Sequence, residues 1–288
     1  MDDLKRLPNV FDTQQLANAK APTVPVIAIP TSLSGGEYTI YGGATDPVTK
    51  IKYQYSSPCR GPALVILDAA LALTTPLSIW LSTGMRAVDH CVETLSSLVS
   101  NKLSDEHAKR GLECLVTGLL ETKRNPQDEE GRHLCQLGVI DAMVHLQQDI
   151  HLGASHGIGH MLGPLGVGHG ETSCILLPAV CKYNAAHRAP ALVRQQEILP
   201  LLWKQPAVRA VLEARGLKNG EVDLGDVIDA VVRELGLPRS MEEVGIGWEK
   251  MDRLAENSLH DLFLKTNAVP LLRKEQVMEV LELTCGKP

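Results

Sequence analysis

The sequence predicts a small α/β part followed by an all-helical domain. Two continuous apolar runs near the start, residues 22–32 and 62–68, carry the strand signal. After Pro76 the pattern changes to long helical stretches. Continuous rather than alternating apolarity in the two runs points to a sheet covered on both faces, the α/β arrangement. A length of 288 residues is compatible with one to two domains. The change of character sets a boundary near residue 76, dividing the chain into 1–75 and 76–288.

The first run contains Val26-Ile27-Ala28-Ile29 between Pro25 and Pro30, a β-branched stretch punctuated by prolines. The loop Ser32-Leu33-Ser34-Gly35-Gly36-Glu37 follows. Residues 39–55 alternate loosely around a turn at Thr45 to Lys50 and read as a hairpin. The second run is Pro62 to Asp68. Helical periodicity then covers 79–100, 104–123, 132–150, 154–163, 173–187, a segment near 191–214, 225–236, 248–257 and 273–284. Turn clusters at Lys123 to Glu130, Leu217 to Gly220 and Gly236 to Ser240 separate some of these, and Leu237-Pro238 is a helix stop.

Composition narrows the function. Hydrophobic residues make up 44% and charged residues 22%, an ordinary globular balance. A net charge of −6 offers no basic footprint for nucleic acid or an anionic membrane. Aromatics at 3% argue against a base-stacking platform. The longest apolar stretch, Pro62 to Leu73, is broken by Asp68 and falls short of the ~20 residues that span a bilayer. The charged opening Met1-Asp2-Asp3-Leu4-Lys5-Arg6 is no secretory signal. Seven cysteines without a C-x-x-C pair read as reduced thiols, which places the protein in the cytoplasm.

Ten histidines are present, and three crowd into Gly153 to Glu171. His156 and His160 are four apart, so a helix puts them on one face. The glycine-rich loop after them is expected to swing His169 back towards that face. Imidazoles converge for metal ligation or for proton transfer, whereas a lone histidine is usually a packed or hydrogen-bonded residue. Thr83 to Glu93 adds His90 on another helix, with Arg86 on the same face and Asp89 beside it. His133, His145 and His151 read as solvated or packed helix residues.

These segments carry a resemblance. Ile29-Pro30-Thr31-Ser32-Leu33-Ser34-Gly35-Gly36-Glu37, Thr83-Gly84-Met85-Arg86-Ala87-Val88-Asp89-His90-Cys91-Val92-Glu93, His156 to Gly170 and Cys174 to Asn184 occur in one order. The chain resembles the iron-type (group III) alcohol dehydrogenases, and most of all their maleylacetate reductase branch. The resemblance implies a dehydroquinate synthase-like fold: a nucleotide-binding α/β part, a helical part, and an active site in the cleft between them.

Two departures from the family pattern shape the expectations. Metal-using members bind iron or zinc through an aspartate and three histidines. The histidine positions here are His90, His156 and His169, but the aspartate position is Arg86, and a guanidinium has no lone pair to offer. No catalytic metal is therefore expected, in keeping with the maleylacetate reductase branch. The second departure lies ahead of Ile29. Members carry there the first nucleotide-binding strands and a glycine-rich turn that cradles the pyrophosphate at a helix N-terminus. Only 28 residues precede Ile29 here, without such a turn, and neither Gly35-Gly36 nor Gly42-Gly43 is a strand-to-helix turn of that kind. The expectation is a shortened nucleotide domain, no tightly bound cofactor, and NAD(P)H binding without a pyrophosphate site.

The resulting expectation is a metal-independent reductase acting on a carbonyl or enoate-type acidic small molecule. By resemblance His160 is the proton donor, and Thr31, Ser32 and Ser34 line the nicotinamide side. Arg86, His90, His156 and His169 are expected to form an anion pocket. An alternative keeps this cleft for non-redox acid–base chemistry, as an isomerase, lyase or cyclase. A third is an inactive shortened homologue. A shortened sheet exposes an apolar face, so a homodimer or larger homo-oligomer is expected to cover it.

Overall fold

The computed structural model describes residues 22–45, 52–55 and 61–285. Strand β1 (Ile27–Ala28) pairs in parallel with β4 (Leu64–Val65), with Ile27 opposite Leu64. Strands β2 (Gly42–Thr45) and β3 (Lys52–Tyr55) pair antiparallel and form the expected hairpin. All of its turn beyond Thr45 lies outside the described residues, as does the chain before Pro22.

The strand pair differs from expectation in length and cover. Each strand has two residues, and Ile27 is 60% and Leu64 51% exposed. The apolar pattern calls for layers on both faces that the described residues do not supply. Asp68, read as the end of the second run, instead caps a short helix α1 (Ala69–Ala72), accepting the Leu71 N–H at 2.7 Å.

The helical part is built from α2 (Leu77–Ser96), α3 (Lys102–Arg124), α4 (Glu129–Ala142), α5 (Ala154–Leu162), α6 (His169–His187), α7 (Ala189–Lys204), α8 (Pro206–Ala214), α9 (Leu224–Leu235), α10 (Met251–Ser258), α11 (Leu262–Thr266) and α12 (Lys274–Glu282). The predicted 132–150 helix stops at Ala142 and tightens into a 3₁₀ turn, Met143–Gln148, ended by Asp149 at φ 54°. The predicted 191–214 helix is two helices, because Pro206 has no N–H to continue the first and opens the second. Helix α6 starts four residues earlier than predicted, since Glu171 folds back onto the Gly168 N–H at 3.0 Å and closes the first turn. Helix α11 has too few residues to show a periodicity.

Two apolar clusters meet at α6. Met85, Leu112, Leu115, Leu119, Val227 and Val231 belong to one, together with Cys174, Leu177 and Cys181 of α6. Ile158, Leu162, Leu254 and Val277 belong to the other, together with Ile175, Leu176 and Val180. A helix packed on opposite sides carries apolar residues all round, and α6 does. Helix α2 is buried along its length from Trp80 to Ser96, so its polar residues must find partners inside the protein.

The N-terminal part is tied to α2 and α4 by specific bonds. The Leu33 N–H donates to Thr83 Oγ1 at 3.1 Å, and the Leu33 side chain is buried beside Gly84. The Thr75 hydroxyl donates to the Thr31 carbonyl at 2.7 Å. Gln136 of α4 donates to the carbonyls of Pro30 and Asp68. Gly35 has φ +73°, and a side chain there would run into Met143. These contacts fix the Thr31–Gly35 loop against the helical part.

Candidate functional site

Helices α2, α5 and α6 bring the predicted Arg86, His90, His156, His160 and His169 near one another, among further polar residues. From α2 come Arg86, Asp89, His90 and Glu93, from α5 Ser155, His156 and His160, and from α6 His169, Thr172 and Ser173. Close approach depends on glycine. A Cβ on Gly170 would fall on the backbone of Ser82, so only glycine lets the start of α6 lie against α2. A Cβ on Gly153 would meet Asn267 and Glu93, so only glycine lets α5 begin over the Glu93 carboxylate.

Glu93 organises the start of α5. Its Oε2 accepts the Gly153 N–H and its Oε1 the Ser155 N–H, both at 2.8 Å. A carboxylate at a helix N-terminus satisfies backbone donors that lack intrahelical partners. Oε2 also accepts Nδ1–H of His156 at 2.8 Å. Asp89 lies alongside. Its Oδ2 accepts the hydroxyls of Ser155 at 2.8 Å and Ser173 at 2.6 Å, and stands 3.2 Å from His156 Nδ1. Burial pushes the Asp89 carboxyl up to about 6, opposed by Arg86 and the two serines, and lifts Glu93 well above the usual range.

The hydrogen bonds assign tautomers. His145 Nδ1 meets only an acceptor, the Ile150 carbonyl at 2.8 Å, so it carries the proton. Its Nε2 then accepts from His90 Nδ1 at 3.0 Å, which leaves the His90 lone pair on Nε2. His156, donating from Nδ1, likewise keeps its lone pair on Nε2, a buried atom with no hydrogen-bond partner among the described residues. The two rings stand 4.4 Å apart, centroid to centroid. Burial holds both well below the ordinary histidine range, helped by His145 and Arg86 at His90 and by Arg86 at His156.

Arg86 is the cation of the cluster. It is 2% exposed, and its Nη1 donates to the hydroxyls of Ser173 at 3.2 Å and Thr172 at 3.5 Å. Among the described residues its Nε has no hydrogen-bond partner. Burial lowers its pKa, and the charges of Asp89, Glu93 and Asp261 oppose that shift. The expected anion pocket is thereby redrawn. Neutral His90 and His156 present acceptors at Nε2, which leaves Arg86 as the cationic donor among the three. His169 opens α6 at an exposed position, and its charge bears on His90.

Donor atoms of Asp89, Glu93 and His156 lie within 4.8 Å of one another. The Asp89 and Glu93 oxygens that face His156 are already held by hydroxyls and backbone N–H groups, and Arg86 fills the cation's electrostatic role. A neutral imidazole is a common metal ligand, but the charged guanidinium near these two rings opposes a dication. Asp89, Glu93 and His156 are the residues that would hold a cation here, and the Arg86 charge beside them weighs against one.

His160 lies at the end of α5. Its Nδ1 is 2.8 Å from Oδ2 of Asp261, and its ring packs 5.6 Å from Phe263. On the loop side, Thr31, Ser32 and Ser34 are half-buried, and among the described residues their hydroxyls make no hydrogen bond. Uncommitted hydroxyls suit the hydrogen-bonding face of a ligand such as a nicotinamide carboxamide.

Several participants are not legible as site residues in the sequence, among them Ser155, Thr172, Ser173, His145, Asp261 and Glu93. His145, whose sequence context reads as a solvated or packed helix residue, fixes the His90 tautomer. Asp261 carried a signal in the Asp261-Leu262-Phe263 helix start, since aspartate is a strong N-cap. Glu93 was visible in the motif without a role.

A helical domain with a buried His/Arg/carboxylate cluster between α2, α5 and α6 defines the class of the protein. Residues 80–285 match the family model "Fe-containing alcohol dehydrogenase family, C-terminal". The chain belongs to the Fe-containing alcohol dehydrogenase family. It is 40% identical over 279 residues to "Dehydrogenase ALT3" of Alternaria alternata, covering 92% of this chain and 72% of that protein. It is 28% identical over 243 residues to "Maleylacetate reductase 1" of Cupriavidus pinatubonensis, covering 83% of this chain and 62% of that protein. A putative alcohol dehydrogenase from Ralstonia eutropha JMP134 has a similar structure, with a TM-score of 0.72 at 26% identity over 91% of this chain and 68% of that one. No helix among the described residues is long and apolar enough to cross a membrane.

Proposed function

We propose that the chain is a reductase that works without a metal and reduces a carbonyl or enoate-type anionic small molecule. The observation that carries this reading is Arg86, a buried guanidinium donating to Ser173 and Thr172 within the His90/His156 cluster. Family membership and relatives named dehydrogenase and reductase support the redox class.

NAD(P)H, if bound as an exchanging co-substrate, would supply the hydride. Thr31, Ser32 and Ser34 would hold its nicotinamide, and Arg86 would stabilise the negative charge that develops on the substrate oxygen. His160 then delivers a proton, to the oxygen of a carbonyl or the α-carbon of an enoate. His156 Nε2 and His90 Nε2 accept from substrate hydroxyls or from water. The part up to residue 75 brings the loop, and the part from residue 76 brings the acid–base machinery. A second copy covers the exposed faces of β1 and β4, which light scattering checks by mass.

The test is NADH or NADPH oxidation with a panel of 2-oxo acids, aldehyde acids and enoates, using chelator-treated protein. Turnover with an anionic member supports the reading. Substrate conversion without nicotinamide oxidation would replace it with non-redox acid–base chemistry.

A further inference from the structure

We propose that Asp261 is a positioning residue that sets the tautomer of His160 and so determines which nitrogen handles the proton. The proposal rests on the reading of His160 as proton donor. Two bonds carry it. Asp261 Oδ1 accepts the Phe263 N–H at 2.9 Å, which caps α11. Asp261 Oδ2 accepts Nδ1–H of His160 at 2.8 Å, across 101 positions of chain. The two side chains are 7% and 10% exposed, so water does not compete freely for either group.

A carboxylate has no proton to give, so the Nδ1 that meets it must be protonated. The neutral ring then has its lone pair on Nε2, and proton transfer falls to that atom. In the direction of reduction the ring starts protonated on both nitrogens, gives the Nε2 proton to the substrate, and returns to the Nδ1–H form. Asp261 stabilises the cation before transfer and holds the ring orientation throughout.

Asp261→Asn is a sharp test because the cap dictates which way the amide faces. The Phe263 N–H needs an acceptor, so the amide oxygen takes the Oδ1 place. The NH₂ group then points at His160 Nδ1 and donates to it, and the neutral ring is forced to carry its proton on Nε2. Shape and cap are kept, so folding is preserved. Asp261→Ser keeps an N-cap oxygen but cannot reach the imidazole.

The measurement is ¹H–¹⁵N correlation of the histidine rings at a pH where His160 is neutral, with its signals assigned by His160→Gln. Wild type is expected to show the Nδ1–H form, Asp261→Asn the Nε2–H form, and Asp261→Ser a mixture. Reduction by Asp261→Asn should fall at least about tenfold in kcat, the lower end of acid–base contributions or below, with KM for the cofactor little changed. The same tautomer in wild type and Asp261→Asn, or an inverted tautomer with unchanged kcat, overturns the proposal. An inverted tautomer in a protein pair that never oxidises NAD(P)H leaves the His160–Asp261 pairing standing and removes the reductase reading.

Discussion

Glu93 on α2 accepts the Nδ1–H of His156 on α5 at 2.8 Å, and the same carboxylate receives the backbone N–H groups of Gly153 and Ser155. One buried side chain thus starts a helix and fixes the tautomer of the histidine that helix carries. Stability and site geometry are coupled through it.

The first prediction follows directly. Glu93→Gln has one acceptor oxygen for backbone donors that met two, so a buried N–H faces an amide NH₂. The variant should lose about 1–3 kcal/mol, the usual cost of a buried unsatisfied donor. Denaturant unfolding measures this, and an unchanged midpoint with unchanged slope would show that Glu93 does not organise α5.

Arg86→Lys keeps the charge but moves the donor away from the Nη1 position that reaches both Thr172 and Ser173. The expected result is a fall of about 10- to 100-fold in kcat/KM for an anionic substrate, the worth of one charge-assisted hydrogen bond. Thermal stability should change far less than activity. Steady-state kinetics on the folded variant decides, and wild-type kcat/KM would remove Arg86 from substrate binding.

Glycine contacts separate two kinds of packing. Gly170→Ala sets a methyl group against the backbone of Ser82, which cannot step aside. Gly84→Ala meets the ends of Leu119 and Leu33, flexible side chains that can. Overpacking costs typically about 1–3 kcal/mol, and Gly170→Ala should lie at or beyond the upper end, with Gly84→Ala clearly below it. Equal melting temperatures for the two variants would contradict the account of how α6 meets α2.

Stability should also follow pH through His145. Burial lowers its pKa from 6.5 to about 4. Below 6.5 the unfolded ring takes up a proton that the native ring refuses. The His145 contribution is therefore full above pH 6.5 and is lost as pH falls from 6.5 towards 4, at up to ~1.4 kcal/mol per pH unit. Asp89, raised to about 6, acts in the opposite sense over an overlapping window. The clean measurement is a difference: wild type should lose stability on acidification more steeply than His145→Gln, and parallel curves would contradict a neutral buried His145.

The helical part was largely legible because its helices are long and amphipathic or wholly apolar, and because Arg86, His90, His156 and His160 sit at helical spacings. What escaped was short or non-local. Helix α11 has five residues and depends on Asp261 as a cap. The link from His145 to His90 spans 55 positions and joins a 3₁₀ turn to α2. The histidine tautomers depend on partners such as the Ile150 carbonyl that no motif encodes. The two apolar runs predicted strands, and strands formed, but cover for them is a property of neighbours rather than of the runs.

The most direct test of the central claim is nicotinamide oxidation by the intact chain after exhaustive chelation, assayed across anionic carbonyl and enoate compounds with NADH and NADPH. The account predicts substrate-dependent turnover that chelator leaves intact, that added zinc or iron does not raise, and that Arg86→Lys depresses. Turnover that appears only when a metal is restored, or no oxidation of either cofactor with any acceptor, would contradict it.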